Sequence, residues 1–217
     1  MKNLKINAAQ AISRIFGVLG AIGGGIHGIG EILQGNVKPE NLFISSWATG
    51  PIALYFDGDP GLTVLPSMLI AGITTVVIAS IIIIWSVRYL KNKKDGFILI
   101  VLAILLLLSG GGVGPPILTL IAGIAGLGIG AKYVWWNNIL GENAKKIIAK
   151  AWPFIYTICL FNGIFLVIGH IVAAYFFAPV EGDTFSNSFL LSIPLLILSI
   201  ITGIYFDLTK RDDQKAS

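Results

Sequence analysis

The stretch FILIVLAILLLLSGGGVGPPILTLIAGIAGLGIGAKYVWW, Phe97–Trp136, decides the fold. It is too long for one membrane crossing, which takes about 20 apolar residues. It is interrupted near its middle by Gly110-Gly111-Gly112-Val113-Gly114-Pro115-Pro116. Proline lacks the N–H that a helix interior needs and restricts the residue before it, while glycine makes an adjacent tight turn sterically cheap. The residues on either side settle the reading. Arg88, Lys91, Lys93 and Lys94 precede the stretch, and Lys132, Lys145, Lys146 and Lys150 follow it. A single crossing would put one basic cluster outside, against the positive-inside rule; two crossings put both in the cytoplasm.

Working outward, the same rule orders the whole chain. Of fifteen Lys and Arg residues, fourteen fall in four patches; the other two patches are Lys2, Lys5, Arg14 and Lys210, Arg211, Lys215. Only Lys38 lies in an outer segment, and the outer loops are acidic, with Glu40, Asp57 and Asp59 in one and Glu181 and Asp183 in the other. The expected architecture is an all-α integral membrane protein, a six-helix transmembrane bundle with N- and C-termini cytoplasmic. Its single polytopic domain, 1–217, has spans at Ile15–Leu33, Leu62–Val87, Phe97–Val113, Pro116–Trp136, Trp152–Ala178 and Asn187–Phe206, with an outer loop at Gln34–Gly61. The segment Phe97–Ser109 gives only about 20 Å of helix against about 30 Å of hydrocarbon, so a re-entrant half-helix stands beside the tight hairpin as a reading. Arg14 interrupts any signal-peptide core, and the N-terminal apolar run reads as a retained first span.

Composition agrees. Hydrophobic residues make up 55% and charged residues 12%, with a mean hydropathy of +0.85. A soluble domain carries about 25% charged residues. The net charge of +4 does not point to nucleic acid, because the basic residues flank apolar runs facing lipid. Trp85, Tyr89, Tyr133, Trp135, Trp136, Trp152 and Tyr205 sit at expected inner boundaries as an interfacial belt. One cysteine, Cys159, lies within an apolar run and excludes an internal disulfide or a CxxC site. The abundance of Ile, Lys and Asn fits an AT-rich prokaryotic genome, hence a cytoplasmic membrane.

Small residues recur every four positions in the first span, at Gly20, Gly24 and Gly28, and in the fourth, at Ala122, Gly126 and Gly130. Such stripes let helix backbones approach closely, within the bundle or in a homo-oligomer or larger membrane complex. Ionisable residues within spans are functional candidates by default. Here they are His27, Glu31 and His170. His27 and Glu31, four apart, share a helix face. Counted from the outer ends, His27 lies about 10 Å deep and His170 about 14 Å deep, so both fall in an outer-half layer.

Three readings of this trio stand side by side: a wet outer crevice in which Glu31 accepts a hydrogen bond from His27, a proton- or cation-responsive transport site, and a bis-His b-type haem or metal site. Histidine titrates near neutral pH, which favours the second; a metal wants three or four protein ligands, which weighs against the third. In the outer loop, Trp47 is a candidate lid, and Asp57-Gly58-Asp59-Pro60-Gly61 has oxygen ligands but reads first as a turn. No GxSxG, HExxH, Walker or dinucleotide motif is present. The functional expectation is a transporter- or channel-like unit or a membrane subunit of a complex; a membrane redox protein and a purely structural or interaction protein are the alternatives.

Overall fold

The computed structural model describes residues 7–176 and 182–216, with the side chains of 170, 182–186 and 212–216 outside the described set. The chain is mostly helical. In order it forms α1 (Ala8–Gln34), β1 (Phe43–Ser45), α2 (Gly50–Tyr55), β2 (Pro60–Leu62), α3 (Met68–Ile84, continued by a π-helical turn at Trp85–Tyr89) and α4 (Lys93–Ser109). Then come α5 (Gly114–Gly126), α6 (Val134–Ile139), α7 (Glu142–Ile164, continued by a π-helical turn at Phe165–Gly169), α8 (His170–Phe176) and α9 (Gly182–Ala216).

Four helices among the described residues are long and apolar enough to cross a membrane: Ala8–Gln34, Met68–Tyr89, Glu142–Gly169 and Asn187–Arg211. The central stretch does fold back at the glycines and prolines, but its two helices are shorter. α4 has 17 residues and α5 has 13, or roughly 25 and 20 Å of helix. The bend therefore lies below the loop end of the bundle, and the segment joining α1 to α3 fills the space above it. That segment also carries something a purely helical reading lacks, a two-stranded antiparallel ribbon pairing Phe43 with Leu62, Ile44 with Gly61 and Ser45 with Pro60.

Surface chemistry is that of a protein dissolved in lipid. On α3 the buried residues are Met68, Ala71, Gly72, Thr75, Ala79 and Ile82, largely small or polar. The exposed ones are Ile70, Ile73, Val77, Ile81 and Ile84. α4 repeats the pattern, with Gly96, Leu99 and Ala103 inside and Phe97, Val101, Ile104 and Leu105 outside. Water would drive those large side chains inward; hydrocarbon leaves the interior to groups that pack closely or hydrogen-bond.

α1 is the axis of the bundle, packed against α3, α5, α7 and α9. The small residues set its approach distances. A methyl group added at Gly28 would stand 2.9 Å from the Gly72 carbonyl oxygen on α3, and one at Gly24 would stand 2.9 Å from the Leu106 side chain on α4. One at Gly20 would reach Thr119 and stand 2.6 Å from the Pro115 carbonyl oxygen of α5; one at Gly126 would stand 2.8 Å from the Gly96 Cα on α4. Gly130, by contrast, has nothing within 4 Å and serves a turn at φ 76° after α5. Antiparallel neighbours bring Arg14, which donates to the Leu90 carbonyl at 3.3 Å, and Arg211, which donates to the Ala131 carbonyl at 2.6 Å, to one common end. At that end the buried Asp207 carboxylate of α9 accepts the Ala8 N–H at 2.7 Å and the Ala9 N–H at 3.4 Å, capping α1 where the helix dipole favours an anion.

These distances make a contrast. Gly72→Ala puts a methyl against the backbone of α1, which cannot yield, and costs about 1–3 kcal/mol; the thermal midpoint in detergent should fall by roughly 3–10 °C. Gly25→Ala meets only the Ala79 methyl, at 3.8 Å, and should leave that midpoint essentially unchanged.

Candidate functional site

The loop between α1 and α3 turns down into the bundle. Its ribbon brings Ser46 and Asp59 onto the loop end of α1. The turn that aims Asp59 is Asp57-Gly58-Asp59, with φ values of 50°, 75° and 56°, closed by the Asp59 N–H donating to the Phe56 carbonyl at 2.7 Å. Asp57 itself stays exposed, its carbonyl accepting from the Ser45 hydroxyl at 3.2 Å. The two acidic residues of the turn thus part company, one outward and one inward.

The imidazole of His27, 3% exposed, is held on both nitrogens. Nε2 lies 3.0 Å from Asp59 Oδ2 and Nδ1 lies 2.9 Å from Ser46 Oγ. The Ser46 hydroxyl in turn donates to Glu31 Oε1 at 3.3 Å. The expected pairing of His27 with Glu31 is therefore indirect, with a serine from the loop inserted between them, and Glu31 lies fully buried rather than at an interface. The second carboxylate oxygen, Oε2, has no hydrogen-bond partner among the described residues.

The α4–α5 bend closes the other side of this chain of groups. Gly110 and Gly112 adopt φ 122° and 78°, and a Cβ on Gly110 would collide with the Glu31 carboxylate, one on Gly112 with the His27 ring. Only glycine fits both the backbone conformation and the space. The ribbon also completes the end of α4. Val64 N–H donates to the Leu108 carbonyl at 3.0 Å, and the Thr63 hydroxyl donates to the Ser109 carbonyl at 3.1 Å, two carbonyls that a helix terminus leaves unsatisfied. Thr75 on α3 adds a hydroxyl bond to Ser109 Oγ at 2.9 Å.

Proton counting gives this arrangement its chemistry. Three hydrogen bonds in series, Asp59–His27, His27–Ser46 and Ser46–Glu31, need three protons. A neutral imidazole and a hydroxyl supply two. The third sits on the ring, making it imidazolium, or on one of the carboxyls. The series of groups joins the loop to α1.

Beside it opens a cavity of about 220 Å³ lined by Ile26, Leu118, Leu166, Val167, Ile171 and Phe189, with His27 and Asp59 at its polar end. The π-helical turn of α7 supplies Leu166 and Val167, and such turns widen a helix locally and recur at functional sites. Trp47 does not lie free on the surface; a Cβ on Gly30 would stand 2.7 Å from its ring, and it packs beside Ile52, Phe56 and Ala174 over the loop end of α1. The backbone of His170 begins α8, next to the cavity-lining Ile171, but its side chain lies outside the described residues. Ser46 was missed in the sequence because a serine in a polar loop carries no signal of burial. Asp207 was missed because it lies one residue past the expected end of the last span.

Comparison with protein families, with curated proteins and with solved structures finds no match.

His27→Phe should strand Asp59 and loosen the loop from α1, which then holds it through Glu31–Ser46 and the Gln34 bonds to the Ser45 and Ser46 carbonyls, at a cost of about 1–3 kcal/mol. Hydrogen exchange should then speed up at the amides of Ser46 and Trp47, which bond to the Asp59 and Gly58 carbonyls, while the α7–α9 contact keeps its protection.

Proposed function

We propose that this chain is a transporter-like membrane protein of six spans, with both termini in the cytoplasm, whose working site is the chain Asp59–His27–Ser46–Glu31 and the cavity beside it. One observation carries the reading: a buried series of titratable groups that requires one proton beyond what a neutral imidazole and a hydroxyl supply, and that ties the loop between α1 and α3 to the central helix. Gain or loss of that proton changes what holds the loop, which is how a small charge event is converted into movement of a segment. The six-span count and its direction are supported by the grouping of basic residues at one end, with the α4–α5 hairpin crossing as a short pair roofed by the ribbon.

The bis-His haem or metal reading takes second place. Both ring nitrogens of His27 already have partners, so ligation would first have to break the Asp59 or Ser46 contact. Among the described residues no group of three His, Cys, Asp or Glu converges as a metal site. An assembly role, as a homo-oligomer or subunit of a membrane complex, rests on no particular observation beyond the apolar surface that lipid also explains.

The test is flux. Proteoliposomes holding an entrapped pH dye and an imposed proton gradient are challenged with a panel of organic cations, anions and neutral solutes. At least one solute should dissipate the gradient faster than in protein-free liposomes, and Asp59→Asn and Glu31→Gln should each slow that rate about ten-fold or more. A panel without effect, or variants as fast as the parent protein, overturns the reading. A reporter fused after Ser217 should be cytoplasmic; finding it outside overturns the orientation.

A further inference from the structure

We infer that the cavity beside His27 and Asp59 binds a small hydrophobic amine, one ring or short chain carrying a protonated nitrogen, which enters sideways from the bilayer. The inference deepens the transport reading by naming the class of molecule its site would take.

Size sets the first limit. An engineered apolar cavity of about 150 Å³ binds benzene. The present cavity, about 220 Å³, therefore accommodates one ring with a tail of a few atoms. Its walls, from Ile26 and Leu118 to Val167 and Ile171, offer an apolar body no hydrogen bond and repel nothing but water.

Charge sets the second. The polar end presents Asp59, whose side chain keeps 17% of its surface exposed, with Glu31 three hydrogen bonds away along the chain. Even with its extra proton on the ring, that chain of two carboxylates and one imidazolium is net negative. No Lys or Arg offsets it from the neighbouring segments: the sequence has none between Lys38 and Arg88, nor between Lys150 and Lys210. A carboxylate ligand would meet like charge in a poorly hydrated site, and a neutral hydrocarbon would leave the Asp59 oxygens without a new partner. An ammonium group satisfies them with a charge-assisted hydrogen bond, stronger than a neutral one.

The way in assigned here runs between α5 and α9. Gly114 at the start of α5 has no side chain, and a Cβ there would stand 3.2 Å from Phe189 Cε2 on α9. Val113 beside it is exposed. Among the described residues, the Phe189 ring lines the cavity on this side, and entry past it is the lateral route we assign to a hydrophobic amine dissolved in the bilayer.

The test uses equilibrium binding to the full chain in nanodiscs, with protein-free nanodiscs subtracted, and three probes of matched shape: 2-phenylethylamine, 3-phenylpropionate and propylbenzene. The amine should bind about ten-fold or more tighter than either of the others. Asp59→Asn should abolish that preference while propylbenzene still binds, which shows the cavity intact. Leu118→Trp should exclude all three. Equal or better binding of the carboxylate or the hydrocarbon to the parent protein, or undiminished amine preference in Asp59→Asn, overturns the inference, and the probe series does so without relying on any variant that folds poorly. Amine binding without flux would leave this site standing and remove transport; flux of other solutes without amine binding would do the reverse.

Discussion

Hydrocarbon supplies no hydrogen bonds, so the backbone groups freed where a helix ends inside the bundle have to find partners within the protein. That constraint explains why the loop between α1 and α3 goes inward. α4 ends at Ser109, short of the loop end, and leaves carbonyls with no helical partner. The ribbon meets two of them through Val64 and Thr63. Once the ribbon is drawn down to that depth, Ser46 and Asp59 necessarily arrive beside α1, and the site is assembled as a by-product of finishing a helix. A longer α4 would have displaced the ribbon and with it two of the four groups.

Close approach is the second requirement, and glycine meets it at each contact of α1. The bend residues Gly110 and Gly112 lie directly on Glu31 and His27, so the buried carboxylate and imidazole are enclosed by backbone rather than by side chains. Enclosure of this kind leaves little freedom for the ring or the carboxylate, and adds to the hold that Asp59 and Ser46 have on them. The softer wall of the site is on the opposite side, where a π-helical turn, a cavity and the Phe189 ring replace tight packing.

Much of this was legible in the sequence, for physical reasons. Hydrophobic run length and the grouping of Lys and Arg mark helices of spanning length and their common basic end, because the bilayer imposes both directly. The spacing of Gly20, Gly24 and Gly28 is likewise visible, and each of the three faces a neighbouring element. His27, Glu31 and Asp59 stood out as rare ionisable groups near or within apolar segments. What could not be read was how they meet. Asp59 and Ser46 reach His27 through a loop whose course depends on the length of α4, a tertiary property with no local periodicity. The start of α4 and the end of α5 were equally hidden, since α4 begins at Lys93 ahead of its apolar run and apolar residues continue past Gly126. Asp207 escaped because an acid among Lys210 and Arg211 looks like ordinary interfacial charge until the start of α1 is placed against it.

That contact between the two ends of the chain has a temporal meaning. Ala8 and Asp207 are 199 positions apart, so the amide groups at the start of α1 receive their carboxylate only after all the intervening residues have been synthesised. Until then α1 is an incomplete axis, held by α3 and α5 but open along the side that α7 and α9 will occupy. The docking of α9 across α1 therefore follows the synthesis of the helices between them, and the cavity that Phe189 helps to line is completed only with it. A ligand for that cavity would favour the docked arrangement over the open one by simple mass action, making it an aid to the protein's own maturation.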